Sequence, residues 1–258
     1  MKLHDDAAAV GVRLAAYAVL PSTNAHALSL ARGGEKGPLW ITAERQTEGR
    51  GREGRNWVSE PGNLYATLLL TAPAPVGRWP QLSFVAALAV HDALGEIAAP
   101  LKRQLAIKWP NDLMLNAAKL GGVLIEGEST MGEPVAIGIG VNCMSHPGFP
   151  DYPTTDLAAA GVAVSAAALF AALSQRMLAR LAQWNGGEGF SSVRSDWLVR
   201  AMAIGQPVSV RIPGGMVNGR FESLDERGRL LLRLPDGRVS AISAGDVIIP
   251  AAAAQSYA

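Results

Sequence analysis

The longest apolar run, WPQLSFVAALAVHDALGE from Trp79 to Glu96, is largely without a polar face and predicts a helix laid on a sheet. Before it, PSTNAHALSLARGG opens on the capping residues Ser22, Thr23 and Asn24 and stops at Gly33 and Gly34, a helix with both ends marked. PLWITAERQ reads as a strand running into an Arg/Gly loop, and NLYATLLLT as a second strand, apolar enough to be buried. Three further strands follow, LAIKW, KLGGVLIEGE and PVAIGIGVN, each short, rich in β-branched residues or glycine, and bounded by turn residues.

After Asn142 the texture changes. SHPGFPDYPTTDL is a Pro-rich loop, and SAAALFAALSQRMLARLAQWNGG and FSSVRSDWLVRAMAIG are helices. From Gly205 onward PVSVRI, MVNGRFESLD, GRLLLRLPDG, VSAIS and DVIIP alternate with turns, the spacing of a small β-barrel of about 50 residues. Two domains are therefore expected, 1–204 and 205–258. No internal repeat is visible, and the Ala-rich tail is expected to fray.

Composition narrows the function classes. The 258 residues are 49% hydrophobic and 17% charged, enough apolar material for a core. A net charge of +1 gives no global basic footprint of the kind duplex DNA demands. The single cysteine, Cys143, excludes an intrachain disulfide and fits a reducing compartment. MKLHDDAAAVGVRLAAYAVL carries early acids and an arginine, unlike a secretory signal, and no segment approaches the roughly 20 apolar residues of a membrane span. A soluble cytoplasmic protein without a membrane partner is expected.

QTEGRGREGRNW, Gln46 to Trp57, holds the densest chemistry. Gly49, Gly51 and Gly54 match the dinucleotide-binding pattern, but that turn must run directly into a helix. Here RNWVSEPGNLY follows, and Pro61 and Gly62 turn the chain before a strand. No nucleotide-binding P-loop occurs either. A mobile solvated turn is the bland reading of such a match. The residues favour a small-anion site that orders on binding: glycines admit positive φ and close approach of backbone N–H groups. Arg50, Arg52 and Arg55 supply forked donors, and Trp57 offers a flat face to a purine. Glu44, Glu48 and Glu53 nearly cancel the charge, which disfavours a polyanion.

GRGREGRNWVSEPGNLY, KWPNDLML, KLGGVLIE and GIGVN occur here in the order and at the spacing seen in biotin protein ligases. The chain resembles that family from about Pro21 to Asn142, and its C-terminal β-domain is similar to the family's SH3-like domain. The resemblance implies an α+β fold, a mixed β-sheet with packed helices related to class II aminoacyl-tRNA synthetases. It also implies a chemistry: biotin is activated by ATP and Mg²⁺ to biotinyl-5′-AMP, then transferred to a lysine of a biotin carboxyl carrier protein. Relatives that bind DNA carry a winged helix ahead of the ligase domain. Here the STN motif begins at Ser22, which leaves no room for one, so a monofunctional ligase without DNA binding is expected. Two departures stand out, Glu53 where some relatives have arginine, and a SEPGNLY segment often one residue longer elsewhere.

The resemblance also assigns roles. In similar enzymes the turn of Ser22, Thr23 and Asn24, which also caps a helix, hydrogen-bonds the biotin ureido group, and Gln46 contacts biotin. Arg50 resembles the arginine that guards the adenylate; Gly51 and Arg52 share the biotin pocket, and Arg52 and Arg55 aid loop closure or contact phosphate. Lys119, by itself readable as a partly exposed lysine at a strand start, matches the lysine that reaches both the biotin carboxylate and the phosphate. Gly122, Gly138 and Gly140 allow close ligand approach, although tight sheet packing explains them nearly as well. Trp57 stacks on adenine unless it is core, and Asn142 reads the adenine edge. Lys108 assists with phosphates. Asp112 binds Mg²⁺ or orients the incoming lysine, unless both are members of a structural salt bridge. His4, His26, His91 and His146 lack metal-ligand spacing, so no metal ligand set is assigned, and Cys143 reads as a buried thiol. The alternatives are a lipoate-type ligase of related fold, a biotin-responsive regulator, and a catalytically silent SH3-like adaptor. Exposed edge strands would offer a route to a homodimer.

Overall fold

The computed structural model describes residues 1–129, 132–148 and 152–250; the middle of the Pro-rich stretch and the Ala-rich tail lie outside them. The first 141 residues open with the short helix α1 (Asp5–Ala9) and build a seven-stranded mixed sheet. Its strands are β1 (Arg13–Leu20), β2 (Leu39–Gln46), β3 (Leu64–Thr71), β4 (Leu105–Lys108), β5 (Asp112–Leu115), β6 (Ala118–Gly127) and β7 (Pro134–Val141), in the order β1-β2-β3-β7-β6-β5-β4. β1 and β2 are parallel, and every other neighbouring pair is antiparallel.

Two of these strands are absent from the sequence reading. β1, RLAAYAVL, is an edge strand with an exposed outer side and three alanines, so it shows neither clean alternation nor strong β propensity. β5 is four residues long and follows the Trp-Pro-Asn turn so closely that it reads as part of the turn. The last predicted helix also ends early, at Arg200. The next residues leave the helix to run beside β4, where Met202 N–H donates to the Ile107 carbonyl at 3.0 Å.

Strand alternation sorts side chains onto two faces. Leu64, Ala66, Leu68, Val135, Ile137, Ile139 and Val141 point to one face, which α3 (Leu82–Ile97) covers over β4 to β7 and α4 (Ala166–Trp184) covers over β3, with α5 (Phe190–Arg200) packed against both helices. α3 is buried on nearly every side, as its unbroken apolar run requires. The other face has a single roof, the ten-residue α2 (Thr23–Arg32), whose Ala27 and Leu28 pack on Ile41, Ala43, Leu69 and Ala136. α2 covers β2, β3 and part of β7, and leaves the same face of β6 and the end of β7 open. The site lies there.

The chain closes with β8 (Pro207–Ile212), β9 (Gly215–Leu224), β10 (Leu230–Arg233), β11 (Val239–Ile242) and β12 (Asp246–Ile248), an antiparallel sheet in the order β11-β10-β9-β8-β12. Its Val208, Val210, Phe221, Leu224 and Leu232 join the apolar cluster that contains α3. The seam is tight. Trp109 Nε1 donates to the Gly228 carbonyl at 3.0 Å, and a Cβ at Gly228 would lie 2.8 Å from Phe84. This packing brings the start of β12 to the rim of the open face. Among the described residues no helix is long and apolar enough to cross a membrane.

Candidate active site

The open part of the sheet has a glycine floor. On this face β6 presents Gly122, Leu124 and Glu126, and β7 presents Gly138 and Gly140. A Cβ at Gly138 would fall 2.4 Å from Asn24 Oδ1, and one at Gly140 would fall 2.7 Å from the Trp57 ring. Both glycines therefore make room for Asn24 and Trp57, the side chains that wall the cleft. The cleft, open to solvent on one side, spans about 770 Å³ of atom-free space, its mouth included.

Its inner wall is the N-terminus of α2. Ser22 caps the helix by accepting from Ala25 N–H, and Ser22, Thr23 and Asn24 are all buried. Gln46 Oε1 accepts from Thr23 N–H at 2.8 Å, and its Nε2 donates to Ser59 Oγ at 2.9 Å. Asn24 is held at both ends of its amide: Oδ1 accepts from the Thr67 hydroxyl at 2.7 Å, while Nδ2 donates to Glu126 at 2.8 Å and to the Leu124 carbonyl at 3.3 Å. Buried polar groups arranged so that each is oriented by a neighbour make a rigid recognition wall.

Lys119 reaches the cleft through a β-bulge. Leu113 pairs with Gly121 but Met114 pairs with Lys119, so Leu120 is an extra residue in β6. Without it Lys119 and Gly122, three residues apart, would face opposite sides of the sheet. With it, Leu120 enters the core and Lys119 turns into the cleft beside Gly122. Lys119 Nζ lies 2.7 Å from Asp112 Oδ1, 5.5 Å from the Trp57 ring centroid and 5.7 Å from that of Tyr152. Asp112 also holds Lys108 Nζ at 3.3 Å. Burial alone would raise the Asp112 carboxyl pKa; the charges of Lys119 and Lys108 outweigh it and hold the group below the ordinary carboxylate value.

The Arg/Gly segment folds as a small hairpin. Trp57 N–H donates to the Gly49 carbonyl at 2.9 Å, Gly51 N–H to the Arg55 carbonyl at 2.7 Å, and Arg55 N–H to the Arg52 carbonyl at 3.1 Å. The central residues Glu53 and Gly54 both have positive φ, +56° and +71°, as a two-residue hairpin turn requires. The hairpin takes up the Gly51 N–H, although Gly51 still lines the cleft. Gly49 serves packing, since a Cβ there would meet the Trp57 carbonyl at 2.3 Å.

The arginines divide. Arg50 turns to Glu126, with Nη2 3.3 Å from Oε1. Arg52 and Arg55 turn to the C-terminal sheet. Arg55 pairs with Asp246; Arg52 Nη2 donates to the Gly245 carbonyl at 3.0 Å, and its Nη1 to Asn111 at 3.2 Å. Here the sequence assignment is corrected in part: both still line the cleft, but their charge is already met by a carboxylate 191 residues downstream of Arg55.

Trp57 is a partition. Its ring stands between the cleft and a smaller pocket of about 270 Å³ lined by Val58, Asn142, Pro147, Tyr152 and Thr154, and Lys119 lines both. Its indole Nε1 is buried without a hydrogen-bond partner among the described residues. Asn142 is set from two sides. Its Nδ2 donates to the Thr155 carbonyl at 3.0 Å, and the following turn is pinned by Asn63, whose Oδ1 accepts from the N–H groups of Cys143, Met144 and Ser145. The PGNLY segment thus has a structural purpose.

Of the residues singled out from the sequence, Ser22, Thr23, Asn24, Gln46, Arg50, Gly51, Arg52, Arg55, Trp57, Asp112, Lys119, Gly122, Gly138 and Gly140 line the cleft. Asn142 lines only the second pocket, and Lys108 reaches the site through Asp112. Sequence reasoning missed Asn111, Tyr152, Glu126 and Asp246. Asn111 sits within the quoted KWPND motif and Glu126 closes the quoted KLGGVLIE motif, whereas nothing local marks Tyr152 or Asp246. No group of three His, Cys, Asp or Glu able to hold a metal occurs among the described residues, and Asp112 is committed to two lysines. The donor set does not fit a protein-held Mg²⁺.

Residues 16–143 match the biotin/lipoate A/B protein ligase family, and residues 203–249 match the biotin protein ligase C-terminal domain. A protein of Paracoccus denitrificans named biotin–(acetyl-CoA-carboxylase) ligase is 42% identical over 227 residues, covering 84% of this chain and 92% of the relative. Its namesake in Mycobacterium tuberculosis is 35% identical, covering 88% and 85%. The structure of the biotin protein ligase from Aquifex aeolicus in complex with biotin and ATP superposes with a TM-score of 0.78 at 25% identity, over 92% of this chain and 97% of that one. The chain belongs to the biotin protein ligase family.

Proposed function

We propose that this protein activates biotin with ATP to biotinyl-5′-AMP and passes the biotin to one lysine of a biotin carboxyl carrier protein. The observation that carries this reading is Lys119, which lines both compartments of the site. A carboxylate held in the glycine-floored cleft and an α-phosphate at the mouth of the second pocket would meet at one fixed cation. Two anions must be brought together there, and a preorganised charge offsets their repulsion.

In the first step a biotin carboxylate oxygen attacks the α-phosphorus, the bond to the bridging oxygen breaks, and pyrophosphate leaves. In the second the neutral amine of the carrier lysine attacks the acyl carbon, AMP leaves with the bonding electrons, and the amine loses its proton. Ser22, Thr23, Asn24 and Gln46 take the polar head of biotin, over Gly122, Gly138 and Gly140. Arg50, Gly51 and Arg52 close over the adenylate. Arg55, Trp57, Lys108 and Asn142 serve the nucleotide end, and Asp112 keeps Lys119 aimed. Closing the hairpin excludes water from the mixed anhydride. Mg²⁺ enters this reading as a partner of the ATP phosphates, supplying charge neutralisation there.

Relatives named as biotin ligases and a structural neighbour holding biotin and ATP support the proposal. A reducing compartment such as the cytoplasm is the proposed setting, consistent with the single buried cysteine. Mass spectrometry of a carrier domain incubated with the protein, ATP, Mg²⁺ and either biotin or lipoate is the test. Gain of one biotin on one lysine is expected; gain of lipoate alone would overturn the choice of acid. Pairing of two copies through the open edge of β1, and activity without DNA binding, belong to the same proposal. Sedimentation and titration with a promoter fragment test them.

A further inference from the structure

Glu126 belongs to no ligand-contacting set and does not line the cleft, yet it joins two of the cleft's walls. It lies on the site-facing side of β6, two residues beyond Leu124 and opposite Ala136 of β7. Its Oε2 accepts from Asn24 Nδ2 at 2.8 Å, and its carboxylate holds Arg50 Nη2 at 3.3 Å from Oε1 and 3.4 Å from Oε2. One side chain therefore grips the helix terminus that forms the inner wall and the hairpin arginine that overhangs the mouth.

The two grips differ chemically. Toward Asn24 the carboxylate acts only as an acceptor. It claims Nδ2, so Oδ1 must face Thr67 and lie over Gly138, where no side chain could stand beneath it. An amide turned the other way would set Nδ2 against the Thr67 hydroxyl and present two acceptors, the carboxylate and Oδ1, to each other. Toward Arg50 the carboxylate acts as a charge. It engages Nη2 and leaves the other donors of the guanidinium fork for the cleft.

We infer that Glu126 is a positioning residue that couples recognition of the biotin head to closure of the Arg/Gly hairpin, through Asn24 on one side and Arg50 on the other. The inference rests on the biotin ligase reading above. It makes a separable demand: the Asn24 function needs an acceptor of the right shape, and the Arg50 function needs a negative charge.

Glu126→Gln keeps the shape and the acceptor but removes the charge; Glu126→Ala removes both. Parent and variants are compared by KM for biotin, kcat for carrier labelling, and the rate at which biotinyl-5′-AMP formed on the enzyme escapes to solution. Glu126→Gln is expected to retain the parental KM for biotin and to release adenylate on the order of tenfold faster, the size of one lost charge-assisted hydrogen bond. Glu126→Ala is expected to raise KM for biotin by a similar factor as well. Thermal unfolding midpoints close to the parent's identify variants that fold, and a Glu126→Gln deficit shared by every readout, biotin KM included, marks a merely structural role and overturns the coupling. Parental values in Glu126→Ala, or equal rises in biotin KM for Gln and Ala, also overturn it. If the parent itself forms no biotinyl-5′-AMP, the ligase reading fails, a result distinct from a parent that works and variants that do not split.

Discussion

Lys119 Nζ lies 2.7 Å from Asp112 Oδ1, while Lys108 holds the other oxygen of the same carboxylate at 3.3 Å. The three groups lie on three neighbouring strands, and all three side chains are mostly buried. A lysine that reads as partly exposed is therefore half of a shielded ion pair. Lys119→Ala is expected to suppress adenylate formation by about 10²-fold or more, the scale for losing one preorganised donor. It should also cost stability beyond the roughly 0.5 kcal/mol of a surface change, since Asp112 keeps only Lys108. Single-turnover adenylate formation and urea unfolding measure the two effects. Adenylate formed at the parental rate would remove Lys119 from the mechanism.

The depressed pKa of Asp112 has a pH consequence. Its unfolded value lies near 3.9, and the native value lies lower, so between the two the unfolded chain binds more protons. The stabilisation is present in full above the unfolded pKa and is lost as pH falls through the native one. The stability difference between parent and Asp112→Asn should thus stay constant from about pH 7 to pH 5 and shrink below about pH 4. Denaturant midpoints at three pH values decide the matter, and a difference that grew on acidification would contradict the sign.

Asp246 ties the hairpin to the C-terminal sheet through Arg52 and Arg55. Asp246→Ala should leave both sheets folded, because neither apolar cluster includes Asp246 and its pair with the half-exposed Arg55 contributes only about 0–1 kcal/mol. It should free the hairpin. Hydrogen exchange over residues 50–57 is expected to quicken, and biotinyl-5′-AMP to escape faster. Unchanged exchange at these amides would show that the backbone bonds of the hairpin suffice.

Gly138→Ala places a methyl group 2.4 Å from Asn24 Oδ1. Overpacking of this kind costs about 1–3 kcal/mol. Because the displaced atom belongs to the inner wall, the loss should appear in biotin affinity by roughly tenfold or more, with ATP affinity little changed. Calorimetric titration with each ligand separates these outcomes. Equal weakening of both would mean the floor serves the whole site.

Cys143 is fully buried, and burial is the main cause that pushes its thiol pKa up to about 12. The thiolate is the reactive form, so native protein at pH 8 should resist iodoacetamide while urea-unfolded protein is alkylated completely. Ready alkylation of the native protein would show that the turn held by Asn63 opens often.

Much of the site was legible along the chain because its parts are local. A Ser-Thr-Asn cap marks the start of α2 whatever surrounds it, and glycines at alternate positions of β7 mark a face that must stay bare. The order of four motifs carried the family and the mixed sheet. What the tertiary structure alone decided are relations between distant segments. The bulge that turns Lys119 into the cleft depends on register against β5, a strand too short to announce itself. Glu126 closes the KLGGVLIE motif, but that it binds Asn24 and Arg50 shows only once they are packed beside it. Besides its neighbour Glu53, Arg55 pairs with Asp246 of a second sheet, 191 residues onward, brought there by apolar packing around Phe84 and Trp109. Periodicity and capping record which face a residue shows. Only packing determines what that face meets, because burial is non-directional and the partners of a charge are set by whatever the core brings near.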